Sequence, residues 1–195
     1  MVNTLPITRE QAIELLKSYD QKESDFNHYL ESEAIMRELA KKLGEDVEYW
    51  GMLGLLHDVD WALTKENTKE HGGKAKEILS GLGFDSEFIQ IIESHIYGYA
   101  DSELFKNKKR EKKIEFALAA SETLTGLIYA YALMRGKKIS DMKVKGLKKK
   151  FKDKTFAAGC NREIIKEAEN FMSLDEFLEI GIEALKKIKG DIELI

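Results

Sequence analysis

Residues 50–61 read Trp50-Gly51-Met52-Leu53-Gly54-Leu55-Leu56-His57-Asp58-Val59-Asp60-Trp61. Seven residues suited to burial run straight into an imidazole, two carboxylates and an indole. Ionisable groups are costly to bury unless something pairs with them. A divalent metal ion pairs with an imidazole and a neighbouring carboxylate at once. The same pair also reads as a capping aspartate beside a core histidine. The other histidines separate the two readings. The chain has four, His28, His57, His71 and His95, and each lies beside an apolar periodic segment.

The flanking sequence is helical in pattern. Thr8-Arg9-Glu10-Gln11 is a capping box, and Ala12, Leu15, Leu16 and Tyr19 follow at helical spacing, predicting a first helix that ends near Asp20. A second helix is predicted over about 25–43, stopped by Gly44. Its inward stripe of His28, Ser32, Ile35, Leu39 and Leu43 turns His28 toward the core. A third covers about 46–56, where Gly51 and Gly54 allow a neighbouring helix to come close. Residues 62–70 lack a period and read as a loop. His71 then opens a helix to about Leu82, and Asp85 or Ser86 caps another that carries Phe88, Ile91 and Ile92 to His95. Lys106–Lys113 reads as a solvated basic linker. The most apolar helix, about 114–134, holds Glu122 among Phe116, Leu118, Leu124 and Leu127, with Glu115 on the same face.

The order His28, His57-Asp58, His71, His95, Glu122 resembles that of the HD superfamily of metal-dependent phosphohydrolases. Glu70-His71-Gly72-Gly73-Lys74-Ala75 and Ile91-Ile92-Glu93-Ser94-His95 are similar to the extra histidine motifs of its two-metal members. The resemblance covers roughly 20–130 by motif and extends more loosely to the C-terminus. Two departures stand out. Glu122, in Ala120-Ser121-Glu122-Thr123, takes the place of the family's final aspartate, and Val59-Asp60 follows the His-Asp pair where many relatives have Ile-Gly.

The resemblance implies an all-α HD-domain helical bundle with additional C-terminal helices. It makes 1–195 a single domain, with an HD core over about 20–130 and a helical extension over about 140–190. It also implies a ligand set of His28, His57, Asp58, His71, His95 and Glu122 for one or two divalent transition-metal ions (Mn, Fe, Ni, Co or Zn), with Asp58 bridging them. Two such ions would activate water and clamp the phosphoryl oxygens of an in-line displacement. Asp60, Glu66 and Glu70 are candidate proton donors to the leaving group. Lys65, Tyr97, Lys145 and Lys149 are candidate substrate contacts. The expected reaction is hydrolysis of a phosphate ester, with nucleotides among the candidate substrates. Two alternatives stay open: a di-iron oxygenase on the same scaffold, as in myo-inositol oxygenase, and a non-catalytic metal-stabilised binding module.

Composition sets the outer bounds. The 195 residues are 43% hydrophobic and 34% charged, with a net charge of -4 and one proline. That suits a helical domain with a substantial core and excludes nucleic-acid binding by bulk charge. Seven lysines between Lys143 and Lys154 form a local exception, read as a solvated helix face or as a patch for phosphate or an RNA backbone. One cysteine, Cys160, fits a reducing cytoplasm. The N-terminus has no signal-peptide pattern, and the apolar stretch 124–134 is too short for a bilayer. The expectation is a cytoplasmic protein with a small phosphorylated substrate and no membrane partner; a homodimer through the last helix stays open.

Overall fold

The computed structural model describes residues 4–100 and 102–195. Among these the chain is helix and turn, with no strand. The helices are α1 (Arg9–Ser18), α2 (Glu23–Leu43), α3 (Val47–Leu56), α4 (Trp61–Thr64), α5 (Gly73–Gly81), α6 (Ser86–Ser94), α7 (Lys113–Met134), α8 (Val144–Lys152), α9 (Arg162–Lys166) and α10 (Leu174–Lys187). Short 3-10 turns cover Thr68–Glu70 and Glu167–Asn170.

The local signals explain most boundaries. Thr8 and Gln11 form the capping box of α1, Asp46 accepts the amides of Glu48 and Tyr49 at the start of α3, and Asp85 accepts that of Phe88 in α6. Glu115 is also a capping residue. Its Oε2 accepts the amides of Glu111 and Lys112 at 2.7 and 3.0 Å, which closes the start of α7 and uses the carboxylate there.

The packing of α2 against α3 builds the floor of the site. A Cβ on Gly54 would lie 2.6 Å from the Ser32 carbonyl oxygen, so the two backbones meet where the side chain is missing. Gly51 instead makes room for the Arg37 side chain. The centre of the bundle is α7, which packs on α2, α6, α8, α9 and α10. By length and composition this helix could cross a membrane. In the fold its apolar residues Ala117, Leu118, Leu124, Leu127 and Ile128 fill the core. The C-terminal helices share that core through Phe177, Leu178, Ile182 and Leu185. The last residue is held by the α7–α8 connection: Ile139 donates to the Ile195 carbonyl at 2.7 Å, and Ile195 donates to that of Lys137 at 2.8 Å.

Two segments differ from the sequence expectation. Residues 62–70 are not a loop throughout, because α4 and a 3-10 turn occupy most of them. Thr64 stabilises α4 by donating its hydroxyl to the Asp60 carbonyl at 2.9 Å. His71 does not open α5. Gly72, with φ +82°, breaks the backbone there, and the helix begins at Gly73. A side chain at Gly72 would be strained at that φ and would strike Ile96, 2.4 Å away.

Candidate metal centre

Each histidine is fixed through its Nδ1. His57, at the end of α3, meets the Gly54 carbonyl at 2.8 Å, and His95, at the end of α6, meets that of Ile92 at 2.6 Å. A carbonyl only accepts, so both Nδ1 atoms carry the proton. His28 Nδ1 lies 2.9 Å from Thr125 Oγ1, whose own proton goes to the Glu122 carbonyl at 2.6 Å; His28 is therefore the donor in that contact. His71 Nδ1 lies 2.8 Å from Asp60 Oδ1.

The Nε2 atoms then converge on Asp58. Its Oδ2 lies 3.5 Å from His57 and 3.9 Å from His28, and its Oδ1 lies 3.2 Å from His95 and 3.3 Å from His71. Two ligand groups, His28–His57–Asp58 and Asp58–His71–His95, share the one carboxylate.

This donor set fits cations. Burial pushes the His57 pKa down to about 3, so its ring is neutral near pH 7. His28 is also lowered, chiefly by burial. Their Nε2 lone pairs face each other at 3.0 Å with no proton between them, a repulsive contact that a shared cation would reverse. At the second group, burial lowers the His71 pKa, but hydrogen bonds to Asp58 and Asp60 outweigh it and raise it to about 10. Without metal the His71 proton balances two carboxylates, and a cation on Nε2 would take over that role. Burial likewise raises the Asp58 carboxyl, but the facing imidazoles win and hold it well below its ordinary range.

Five of the six ligands expected from sequence are thus brought together, and Glu122 stands apart. It lines a cavity of about 340 Å³ with Asp58, Trp61, Thr68, His71, His95, Ile96, Tyr99 and Ser102, yet it belongs to neither ligand group. Its Oε1 lies 2.6 Å from Thr123 Oγ1, and burial raises its pKa to about 8.

The other expected site residues are placed differently. Asp60 cannot serve as an open proton donor. It is fully buried, with Oδ1 on His71 and Oδ2 accepting the amides of Gly72 and Ala75 at 2.8 and 2.9 Å. It acts behind His71, fixing the ring. Glu66 and Glu70 are exposed, Glu70 accepting from Asn67, and Lys65 is half-buried; none of the three lines the cavity. Tyr97 is buried against Ile96 and Phe105, and Tyr99 takes the cavity wall instead. Lys145 and Lys149 lie on α8, away from the cavity lining.

Sequence reasoning also missed Arg110, inside the supposed linker. Its guanidinium donates to the carbonyls of Ser94, His95 and Tyr97 at 2.7, 3.3 and 3.1 Å, and is paired with both oxygens of Glu167. The one arginine in a run of lysines was the available signal, since its planar fork holds five donors in fixed directions where an ammonium has three.

A family model for the HD domain matches residues 25–128, and no curated protein or solved structure matches the chain. The match spans more than half of the sequence and takes in α2 through most of α7, with all four histidines and Asp58. The chain belongs to the HD-domain family.

Proposed function

We propose that the protein is a metal-dependent phosphohydrolase that cleaves a phosphate ester of a small substrate, nucleotides included. The observation that carries this reading is the position of Asp58, one oxygen toward His28 and His57 and the other toward His71 and His95. His28, His57 and Asp58 would hold one divalent transition-metal ion, and Asp58, His71 and His95 a second. Such ions supply Lewis acidity and lower the pKa of water near neutral pH.

The protein residues do the rest. The Nδ1 contacts lock each ring so that its Nε2 faces the centre. The cavity beside the centre has the size of a small-molecule site. Trp61, Ile96 and Tyr99 supply apolar and aromatic wall. Glu122 lines the same cavity, and burial raises its pKa to about 8 in the metal-free site, so it is the carboxyl placed to give a proton to a leaving oxygen. In this reading it replaces Asp60, Glu66 and Glu70 as the acid.

The test is release of phosphate from a panel of nucleotides and sugar phosphates, and release of the chromophore from a chromogenic diester, after loading with manganese, iron, cobalt, nickel or zinc in turn. Release that disappears in Asp58→Ala and His57→Ala, both still folded by circular dichroism, supports the reading. No release with any metal, or full release in both variants, sinks it.

A further inference from the structure

Helix α8 has two unlike faces. Leu147 and Phe151 are buried in the core, while Lys145, Lys149 and Lys152 point outward along the opposite face at steps of four and three. Lys143 and Lys154 extend this exposed basic surface at either end. Lysines elsewhere are often paired: Lys41 and Lys187 with Glu38, Lys42 with Glu176, Lys113 with Glu45, Lys166 with Glu163. Of the seven lysines from 143 to 154, only Lys148 meets a carboxylate among the described residues, Asp175 at 2.6 Å. Lys150 lies over the ring of Phe156. The nearest acid in sequence, Asp153, spends Oδ1 on the backbone and hydroxyl of Thr155.

We propose that the exposed face of α8, centred on Lys145, Lys149 and Lys152, docks the phosphate backbone of a nucleic acid. Three arguments select this partner. The ridge from 145 to 152 is about 10 Å long at 1.5 Å per residue. A polymer with a charge every few ångströms can meet all of it, whereas a small phosphorylated metabolite would leave most of these lysines unpaired. The apolar residues of α8 are turned inward, so this face has nothing to insert into a bilayer. Finally, the whole chain carries -4, so a polyanion is repelled by the molecule at large and attracted at this patch, which orients the encounter. None of these lysines lines the cavity beside Asp58, so docking and catalysis are separable.

The test is fluorescence anisotropy of a labelled 20-nucleotide single-stranded RNA and a duplex DNA of equal length, with chelator present so that turnover does not interfere. Binding to either should weaken with salt. With three to four lysines engaged, log K against log salt should have a slope of about -2 to -3 for the single strand. The double variant Lys145→Glu/Lys149→Glu should lose at least tenfold in affinity at 50 mM salt and flatten that slope. Lys41→Glu/Lys186→Glu makes the same change in net charge elsewhere and should bind like the parent. Lys145, Lys149 and Lys41 are exposed and Lys186 is half-buried, and equal melting temperatures verify the fold. The proposal is overturned if neither probe binds at 50 mM salt or if both double variants bind alike. Binding to vesicles rich in anionic lipid without binding to either nucleic acid overturns it as well.

Discussion

Asp60 Oδ1 lies 2.8 Å from His71 Nδ1, while the other carboxylate oxygen collects the amides of Gly72 and Ala75. The contact points His71 Nε2 at Asp58 and His95. Asp60→Asn would turn a neutral amide, half of it a donor, toward three donors. Metal affinity should fall about 10- to 100-fold at the His71–His95 position, the usual effect of losing a carboxylate behind a ligand histidine. The His28–His57 position should keep its ion. Elemental analysis after dialysis against limiting metal would then give about one ion per chain where the parent holds about two. Equal content in both proteins would refute the positioning role.

The facing lone pairs of His28 and His57 make metal removal a stability experiment. A ligand at 100 times its Kd stabilises the folded state by about 2.7 kcal/mol. For a chain of this size, each kcal/mol moves Tm by roughly 2–4 °C. Chelator should therefore lower Tm by roughly 5–10 °C, and a divalent transition metal should restore it. An unchanged Tm would show that the cluster holds no cation.

Glu122 is where ligand and acid roles give opposite results. As an acid it needs its proton, so Glu122→Gln should lower kcat about 10²- to 10⁴-fold with metal content unchanged. As a ligand, the loss of its charge should release an ion. Metal analysis of this single variant decides, whichever way activity goes.

The helices around the site were legible because their signals are local: the capping box at Thr8, Asp85 before α6, and the stripe from His28 to Leu39. The five converging ligands were legible through their order in a known family. What stayed hidden depends on long-range partners. Nothing near Asp60 in sequence shows that it will face two amides twelve and fifteen residues on. Tyr97 and Tyr99 flank one glycine, and only the fold decides that the first stacks on Phe105 while the second lines the cavity. Thr125 lies inside the apolar stretch of α7, and nothing beside it in sequence shows that its hydroxyl sets the proton on His28.

Glu31 gives a pH prediction for a carboxyl outside the two ligand groups. It is almost fully buried on α2, its Oε1 has no hydrogen-bond partner among the described residues, and burial raises its pKa well above the ordinary value. A carboxyl with a raised folded-state pKa contributes most stability below its unfolded pKa and loses it as pH rises, because the unfolded state gives up the proton more readily. Glu31→Gln removes that loss. The variant should melt within a degree or two of the parent at pH 4.5 and higher than it at pH 8, with the gap widening in between. A variant that melts lower at pH 8 would mean that the charged carboxylate has a favourable partner.

Arg110 ties the C-terminal extension to the metal centre. Its side chain is 7% exposed, and its fork bridges three carbonyls at the end of α6 to Glu167, beyond the matched HD region. Removing one partner of a buried ion pair costs about 3–5 kcal/mol. Glu167 is partly exposed, which lowers that to about 2–4 kcal/mol. Arg110→Ala should therefore melt roughly 4–16 °C lower. Arg110→Lys, which keeps the charge and loses the fork, should fall between the two. Because the His95 carbonyl is among the freed acceptors, metal bound at His71–His95 should loosen more than metal at His28–His57. A melting temperature within one degree of the parent in Arg110→Ala would show that α6 ends as it does without the extension, leaving the C-terminal helices no part in positioning His95.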